Sequence, residues 1–244
     1  MASQFATSPS ASASASASSG SVRYPERQSA PGSAARNVAG IVQGLTPLFS
    51  SLASAASSSR TPGVLELASG QGTHVSALAR AFSTLRFSPC EADASLCSLI
   101  NDACSGLSNV AEARVLEIEQ GEHWAALQAR EEDGFEAVLA LNLVHIIPAP
   151  LVRTLFERVA EVLKPGGTLV LYGAYNENGK VTSEGNAAFD ANLRTRNPEF
   201  GLRDLQRELE PLAQQHGMRL KERIEMPAGN LLVLFERNEK GRNA

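Results

Sequence analysis

The chain has 244 residues, 43% hydrophobic, 20% charged and 5% aromatic, which suffices for one α/β domain with a sizeable core and excludes fibrous or fully disordered architectures. With 22 Lys and Arg against 26 Asp and Glu the net charge is −4, and no basic block able to grip a phosphate backbone stands out, so no nucleic-acid partner is expected. No run approaches the ~18 apolar residues that span a bilayer, and the N-terminus lacks the apolar core of a secretory signal, so no membrane association and no secretion are expected.

Residues 1–22 are almost entirely Ala and Ser, without a charged side chain. Such a segment buries too little apolar surface to offset the entropy of ordering, and it reads as a disordered tail. An organelle transit peptide is the alternative reading, although those are usually Arg-rich and the first Arg here is Arg23. One domain is expected over 23–237, followed by a frayed polar tail over 238–244.

From 34 to 56 the apolar positions Val38, Ile41, Val42, Leu45, Leu48, Phe49 and Leu52 recur at helical spacing, with Pro47 as a kink or break, so one or two helices are expected. After Thr61-Pro62-Gly63, the short apolar run 64–68 reads as a buried parallel strand feeding a glycine loop, and a helix over 74–82 follows. The alternation continues with strands near 85–89, 113–118 and 135–143 and helices near 95–107, 122–130 and 150–163. Lys164-Pro165-Gly166-Gly167 then reads as a sharp turn into a strand over 168–172. Strands alternating with helices imply a parallel sheet covered on both faces. A long polar segment, 173–204, precedes a helix ending near His216. Two strand-like runs, 218–225 and 230–236, then suit an antiparallel pair.

Cys90, Cys97 and Cys104 are odd in number and form no C-x-x-C, so neither a disulfide framework nor a zinc site is indicated. Cys97 and Cys104 share a helical stripe with Leu96, Ile100 and Leu107. Reduced thiols in a reducing compartment, the cytoplasm, are expected.

The segment Glu66-Leu67-Ala68-Ser69-Gly70-Gln71-Gly72 carries the most chemical information, because glycines between a buried strand and a helix let a nucleotide-like ligand approach the backbone. A dinucleotide fingerprint needs glycine where Val75 stands, and no Tyr-x-x-x-Lys pair accompanies Tyr172 or Tyr175, so a nicotinamide cofactor is disfavoured. Glu66 would repel a phosphate and attract an ammonium group, which calls for a ligand bearing an amine. Glu91 stands where an acid accepts hydrogen bonds from ribose hydroxyls. Asp93 suits the same task or a helix N-cap, and Glu117 is either an acceptor for an adenine amino group or a solvated strand end.

This constellation resembles the class I S-adenosylmethionine-dependent methyltransferases: Glu66, Gly70-Gln71-Gly72, Glu91, and Leu163-Lys164-Pro165-Gly166-Gly167 before the fifth strand. Longer strings are similar to the methyltransferase-like 26 family, of DUF938 type. They are Arg27-Gln28-Ser29-Ala30-Pro31, Ala35-Arg36-Asn37, Asn142-Leu143-Val144-His145-Ile146, Asn197-Pro198-Glu199-Phe200-Gly201-Leu202-Arg203-Asp204 and Glu225-Met226-Pro227-Ala228-Gly229-Asn230. The resemblance covers about 34 to 237. It implies a Rossmann-like α/β fold with a seven-stranded, mostly parallel sheet, an antiparallel last strand and helices on both faces. It further implies S-adenosyl-L-methionine as cofactor, held by Glu66, Ser69, Gly70, Gly72, Glu91, Glu117 and Asn142, with Arg36 and Asn37 reaching over the loop to its carboxylate. Ala68 departs from the first loop glycine of many methyltransferases but fits the family's Ala-Ser-Gly pattern, and the acids at 91 and 117 are Glu where Asp is common.

Methyl transfer from a sulfonium is an in-line displacement in which alignment and exclusion of water supply much of the acceleration. His145, after the fourth strand, is the candidate base, with a structural histidine as the alternative; Asn142 either binds ligand or caps the next helix. Contacts to a small-molecule acceptor are assigned to Tyr172 and Asn186. Asp190 and Arg194, four apart, read as a helix-surface ion pair, and His74 as packing or capping. An inactive cofactor-binding or protein-interaction module on the same fold is the alternative function.

Overall fold

In the computed structural model, which describes residues 32–57, 60–131 and 134–239, helices and strands alternate along most of the chain. The expected tail over 1–22, the string 27–31 and residues 240–244 lie outside the described residues. The first element, α1 (Ser33–Ser54), is one continuous helix with Pro47 inside it, so the 34–56 pattern forms a single helix. Ile41, Leu45 and Phe49 form its buried stripe. Gly40 and Gly44 let it lie close to the sheet: a Cβ at Gly44 would stand 2.9 Å from Leu232 Cδ2, and one at Gly40 3.3 Å from Met226 Cε.

The remaining elements are β1 (Gly63–Leu67), α2 (Thr73–Ala81), β2 (Arg86–Glu91), α3 (Ala94–Ala103), β3 (Arg114–Val115), α4 (Gly121–Gln128), β4 (Phe135–Leu141), α5 (Ala149–Val162), β5 (Leu163–Ala174), α6 (Glu184–Arg196), α7 (Glu210–Gln215), β6 (Met218–Met226) and β7 (Asn230–Arg237). A π-helical turn, Leu205–Leu209, leads into α7. The seven strands form one sheet in the order β3-β2-β1-β4-β5-β7-β6. The first five run parallel, and β7 is antiparallel to both β5 and β6. The expected mostly parallel sheet with a reversed last strand is therefore the one observed. Strand order turns back between β1 and β4, and the carboxyl ends of those strands open the crevice where such sheets bind ligands.

One face of the sheet packs on α1, α2 and α3 through Leu45, Phe49, Leu78 and Ile100 against Val64, Leu139 and Tyr172. The opposite face packs on α4, α5 and α7 through Trp124, Phe156 and Ala213 against Leu65, Val138 and Val233. Fully burying a side chain of this size contributes ~1.5–3 kcal/mol.

Three expectations are corrected in detail. The strand near 113–118 is only two residues long, a short edge, although Leu116 N–H still donates to the Glu91 carbonyl at 2.9 Å. The helix near 95–107 ends at Ala103. Lys164-Pro165-Gly166-Gly167 lies inside β5 as a bulge: the register passes from Phe135↔Leu163 to Ala137↔Thr168, and a Cβ at Gly167 would fall 2.8 Å from the Lys164 carbonyl oxygen. Lys164 Nζ meets buried Glu136 Oε1 at 2.6 Å, and Glu136 also accepts from Arg60 and from Gly63 N–H, closing the amino end of the sheet. Among the described residues no helix is long and apolar enough to cross a membrane.

Candidate cofactor and acceptor site

At the carboxyl end of β1 the chain leaves the sheet through three left-handed residues, Ala68 (φ 51°), Gly70 (φ 63°) and Gly72 (φ 76°). Ser69 N–H donates to the Cys90 carbonyl and Gly72 N–H to the Ser69 carbonyl, both at 2.9 Å, so the loop folds back over β2. A Cβ at Gly72 would stand 3.1 Å from Ile100 Cα, a close approach of α2 to α3 that glycine permits. The first turn of α2 has no acidic residue, which leaves its amide dipoles open to an anionic group.

Glu66 is 1% exposed, and its Oε2 has no hydrogen-bond partner. Burial pushes its pKa up to about 8; Ser69 counters this, and the nearby Glu91 charge adds to it. The Ser69 hydroxyl donates to the Glu66 carbonyl at 3.2 Å. Glu91, last in β2, uses Oε2 to accept the Gly70 N–H at 2.8 Å and Oε1 to accept the Ala92 N–H at 2.9 Å. It clamps the loop and retains lone pairs for a further donor. Asp93 caps α3, with Oδ1 accepting from Ser95 N–H at 2.9 Å, so the capping reading of that residue holds. Glu117 lies two residues beyond β3, half-buried, and its N–H donates to His123 Nδ1 at 3.1 Å. His123 thus positions the backbone of a candidate residue.

His74, expected to pack or cap, packs. It is buried, its Nε2 lacks a partner, and burial lowers its pKa against the opposing effect of a hydrogen bond to the Ala34 backbone. That bond brings the first turn of α1, with exposed Arg36 and half-buried Asn37, beside the glycine loop. His74 lies two residues after Gly72, in the first turn of α2.

A second group gathers at the ends of β4 and β5. Asn142 adopts φ 57° and donates its N–H to the Tyr172 carbonyl at 2.7 Å; it does not cap α5, whose N-cap is Pro148. Tyr172 is buried on the α1 face of the sheet, the face Glu66 also occupies, two strands away by the register Glu66↔Leu139 and Leu141↔Tyr172. His145 is 4% exposed, its ring edge-on to Phe189 at 5.3 Å between centroids, and its Nδ1 is unpartnered. A Cβ at Gly173 would fall 3.2 Å from that Nδ1. Burial, reinforced by Arg203 and Arg196, lowers the imidazole pKa to about 4, so it is neutral at physiological pH.

Arg203, which local sequence pattern does not single out, holds the His145 loop in place. Its Nε donates to the Val144 carbonyl at 3.2 Å, and Nη2 to the Ile147 and Glu199 carbonyls at 2.7 and 2.9 Å. Gly201 N–H donates to the His145 carbonyl at 3.1 Å. Asp190 forms the expected ion pair with Arg194 at 2.7 Å and also accepts the Leu202 N–H at 2.7 Å, tying α6 to the same segment. Asn186 is buried, and both amide hydrogens are committed, to Thr182 Oγ1 at 2.7 Å and to the Gly229 carbonyl at 3.0 Å. The structure thus brings Glu66, Ser69, Gly70, Gly72 and Glu91 together, joins Asn142 to Tyr172 through the backbone, sets the Asn142 and His145 side chains near Gly173, and gives Asn186 a bracing position. No metal-binding group of His, Cys, Asp or Glu occurs among the described residues.

Sheet order and crevice define a methyltransferase-like α/β fold, and solved structures agree. An O-methyltransferase family protein from Burkholderia thailandensis superposes with a TM-score of 0.62 at 15% identity, over 84% of this chain and 59% of that one. Human N-acetylserotonin methyltransferase in complex with SAM gives 0.60 at 12% identity, over 84% and 56%. An O-methyltransferase family 2 protein from Planctomyces limnophilus in complex with apigenin gives 0.59 at 15% identity, over 82% and 61%. The chain therefore spans about three fifths of the length of these structures, and the likeness is one of fold. The family model DUF938, described as a protein of unknown function, matches residues 27–237, and the chain belongs to that family.

Proposed function

We propose that this protein is an S-adenosyl-L-methionine-dependent methyltransferase acting on a small-molecule acceptor, with 23–237 serving as one catalytic unit. The observation that carries the reading is the unpartnered, buried Oε2 of Glu66 beside a left-handed glycine loop. A carboxyl group pushed up to about 8 by burial gains from an ammonium partner, which favours its charged form. In this reading Glu66 holds the cofactor amine, the start of α2 with Arg36 holds its carboxylate, and the Ser69–Gly72 loop, braced by its own hydrogen bonds, packs against it. Glu91 then accepts from ribose hydroxyls and Glu117 from the adenine amino group. Asn37 and Asn142 border the same space.

When bound, the cofactor supplies a methyl group on a cationic sulfur, open to in-line attack. The protein's own contribution is to align the acceptor and exclude water. Tyr172 and the His145 loop form the acceptor side. His145 is neutral, the state required of a base, and Arg203 fixes it by gripping the carbonyls of Val144 and Ile147. With a pKa of about 4 it is a weak base, best suited to an acceptor that arrives ionised or loses its proton as the methyl transfers. Asn186 contributes by bracing α6. The three free cysteines fit a reducing compartment such as the cytoplasm.

A second reading, a cofactor-binding module without catalysis, is favoured by one observation: Phe189 and Gly173 enclose His145. Formation of S-adenosylhomocysteine across a panel of hydroxyl, carboxyl, amine and thiol acceptors separates the two. Turnover that His145→Ala reduces without loss of cofactor binding supports catalysis; binding without turnover on any acceptor supports the module.

A further inference from the structure

Between β5 and α6 the chain makes a tight turn around a chemically reactive pair, Asn178-Gly179; no other asparagine in the chain precedes a glycine. Glu177 and Lys180 exchange both N–H to carbonyl bonds at 2.9 Å, so Asn178 and Gly179 form the two-residue tip, with φ of 53° and 76°. A left-handed pair of this kind suits Asn-Gly. Residues 178–180 are all exposed, so the tip gives no side chain to the core and is free to open locally. The Gly179 nitrogen and the Asn178 side-chain carbonyl carbon are separated by the three carbons whose closure makes a five-membered ring, and glycine offers that nitrogen no side chain as a shield.

The surroundings act on both reacting groups. Gly179 N–H donates to Asp204 Oδ2, and that buried carboxylate is fixed by its other oxygen, Oδ1, which accepts the Arg207 N–H at 2.8 Å. The Arg207 guanidinium lies over Gly179 on the side where a Cβ would project. A carboxylate thus sits on the proton that the Gly179 nitrogen must lose to become a nucleophile. A cation stands beside the same nitrogen, two bonds from the oxygen on which negative charge would develop. Asn178 N–H donates to Gln206 Oε1 at 2.9 Å, so both residues of the tip are tied to the segment of the π-helical turn.

We propose that Asn178 is a site of spontaneous deamidation, with Asp204 as base and Arg207 beside the developing oxyanion. Rotation about the Asn178 Cα–C bond brings the Gly179 nitrogen to Cγ; its proton passes to Asp204, the N–Cγ bond forms, and the Cγ–Nδ2 bond breaks as ammonia leaves with that proton. The product is a cyclic succinimide, which water opens at either carbonyl to give aspartate or isoaspartate at 178. Either product adds a negative charge beside Glu177, Asp204 and Arg207, and the isoaspartate also lengthens the backbone of the turn by one carbon. The bonds from the tip to Asp204 and Gln206 then no longer fit, and the modification reaches the segment that carries Arg203. The assignment does not depend on methyl transfer.

Incubation of the full chain at mildly alkaline pH, followed over time by peptide mapping and mass spectrometry that separates aspartate from isoaspartate, tests it. Asp204→Asn keeps an acceptor oxygen for the Arg207 N–H while removing the base, and Arg207→Gln removes the cation from an exposed side chain; thermal melts establish that both fold. The expected result is conversion at Asn178 to both products, faster than at any other asparagine of the chain. It should slow about tenfold or more in Asp204→Asn and about threefold or more in Arg207→Gln. No conversion at Asn178, a rate unchanged in the folded Arg207→Gln, or a faster rate in Asp204→Asn, which would make the Gly179 bond protective, would overturn the proposal.

Discussion

Glu91 Oε2 accepts the amide hydrogen of Gly70 at 2.8 Å across 21 positions of sequence, so the end of β2 holds the loop at the end of β1. One carboxylate therefore shapes the loop and, in the proposed function, also accepts from the ribose. Glu91→Ala removes both effects and should weaken S-adenosylhomocysteine binding by about 10–100-fold, whereas Glu91→Gln, which keeps one acceptor oxygen, should lose less. Calorimetry on both variants, with thermal melts to establish folding, measures the difference.

The Glu66 carboxyl makes stability depend on pH. Burial raises the folded Glu66 carboxyl to about 8 from the ordinary glutamate value of 4.5, so between these values the folded state binds more protons than the unfolded one. This group's contribution is fully present below pH 4.5 and is lost as pH rises through about 8. Denaturant melts across that window should show the decline, and Glu66→Gln should remove it. Binding of a cationic amine at pH 7 should likewise expel about one proton from the wild type and none from Glu66→Gln. The dependence of binding heat on buffer ionisation enthalpy reads that proton directly.

His145 carries the opposite sign. Its folded pKa of about 4 lies below the ordinary histidine value of 6.5, so its contribution is present above 6.5 and is lost as pH falls through about 4. Burial is the main cause, and Phe189 forms part of the cover. Phe189→Ala should therefore move the imidazole titration up towards 6.5, followed by NMR in a chain with 4 histidines. A titration left near 4 would show that Phe189 is not what shields the ring.

Gly72 and Gly106 separate the cost of conformation from that of contact. Both are left-handed, at φ 76° and 79°, but a Cβ at Gly72 meets the Ile100 backbone and one at Gly106 meets open space. Gly106→Ala should cost ~1–2 kcal/mol, and Gly72→Ala about 1–3 kcal/mol more. Chemical denaturation of the two variants provides the comparison.

The parallel part of the sheet was legible because strands buried on both faces read as short unbroken apolar runs: β1 and β4 are buried at every position. Positions where tertiary structure overrides local pattern were not. Pro47 stays within α1, which is held against Leu232 and Met226 through Gly44 and Gly40. Lys164 to Gly167 form a bulge because pairing with β4 resumes only at Thr168. The π-helical turn has no periodicity that an apolar pattern could reveal. The nearness of Glu66, the loop glycines and Glu91 was legible through their spacing along successive strand ends, whatever they hold. Arg203 was not, since its bonds to Val144 and Ile147 cross 59 and 56 positions of sequence.

The most direct test of the central claim is calorimetric titration of S-adenosyl-L-methionine and S-adenosylhomocysteine into the wild type, Glu66→Ala and Gly70→Leu. The account predicts saturable binding of both ligands to the wild type, abolished or severely weakened in the two variants while their folds persist. A folded wild type that takes up neither ligand, or variants that bind as well as the wild type, would contradict it.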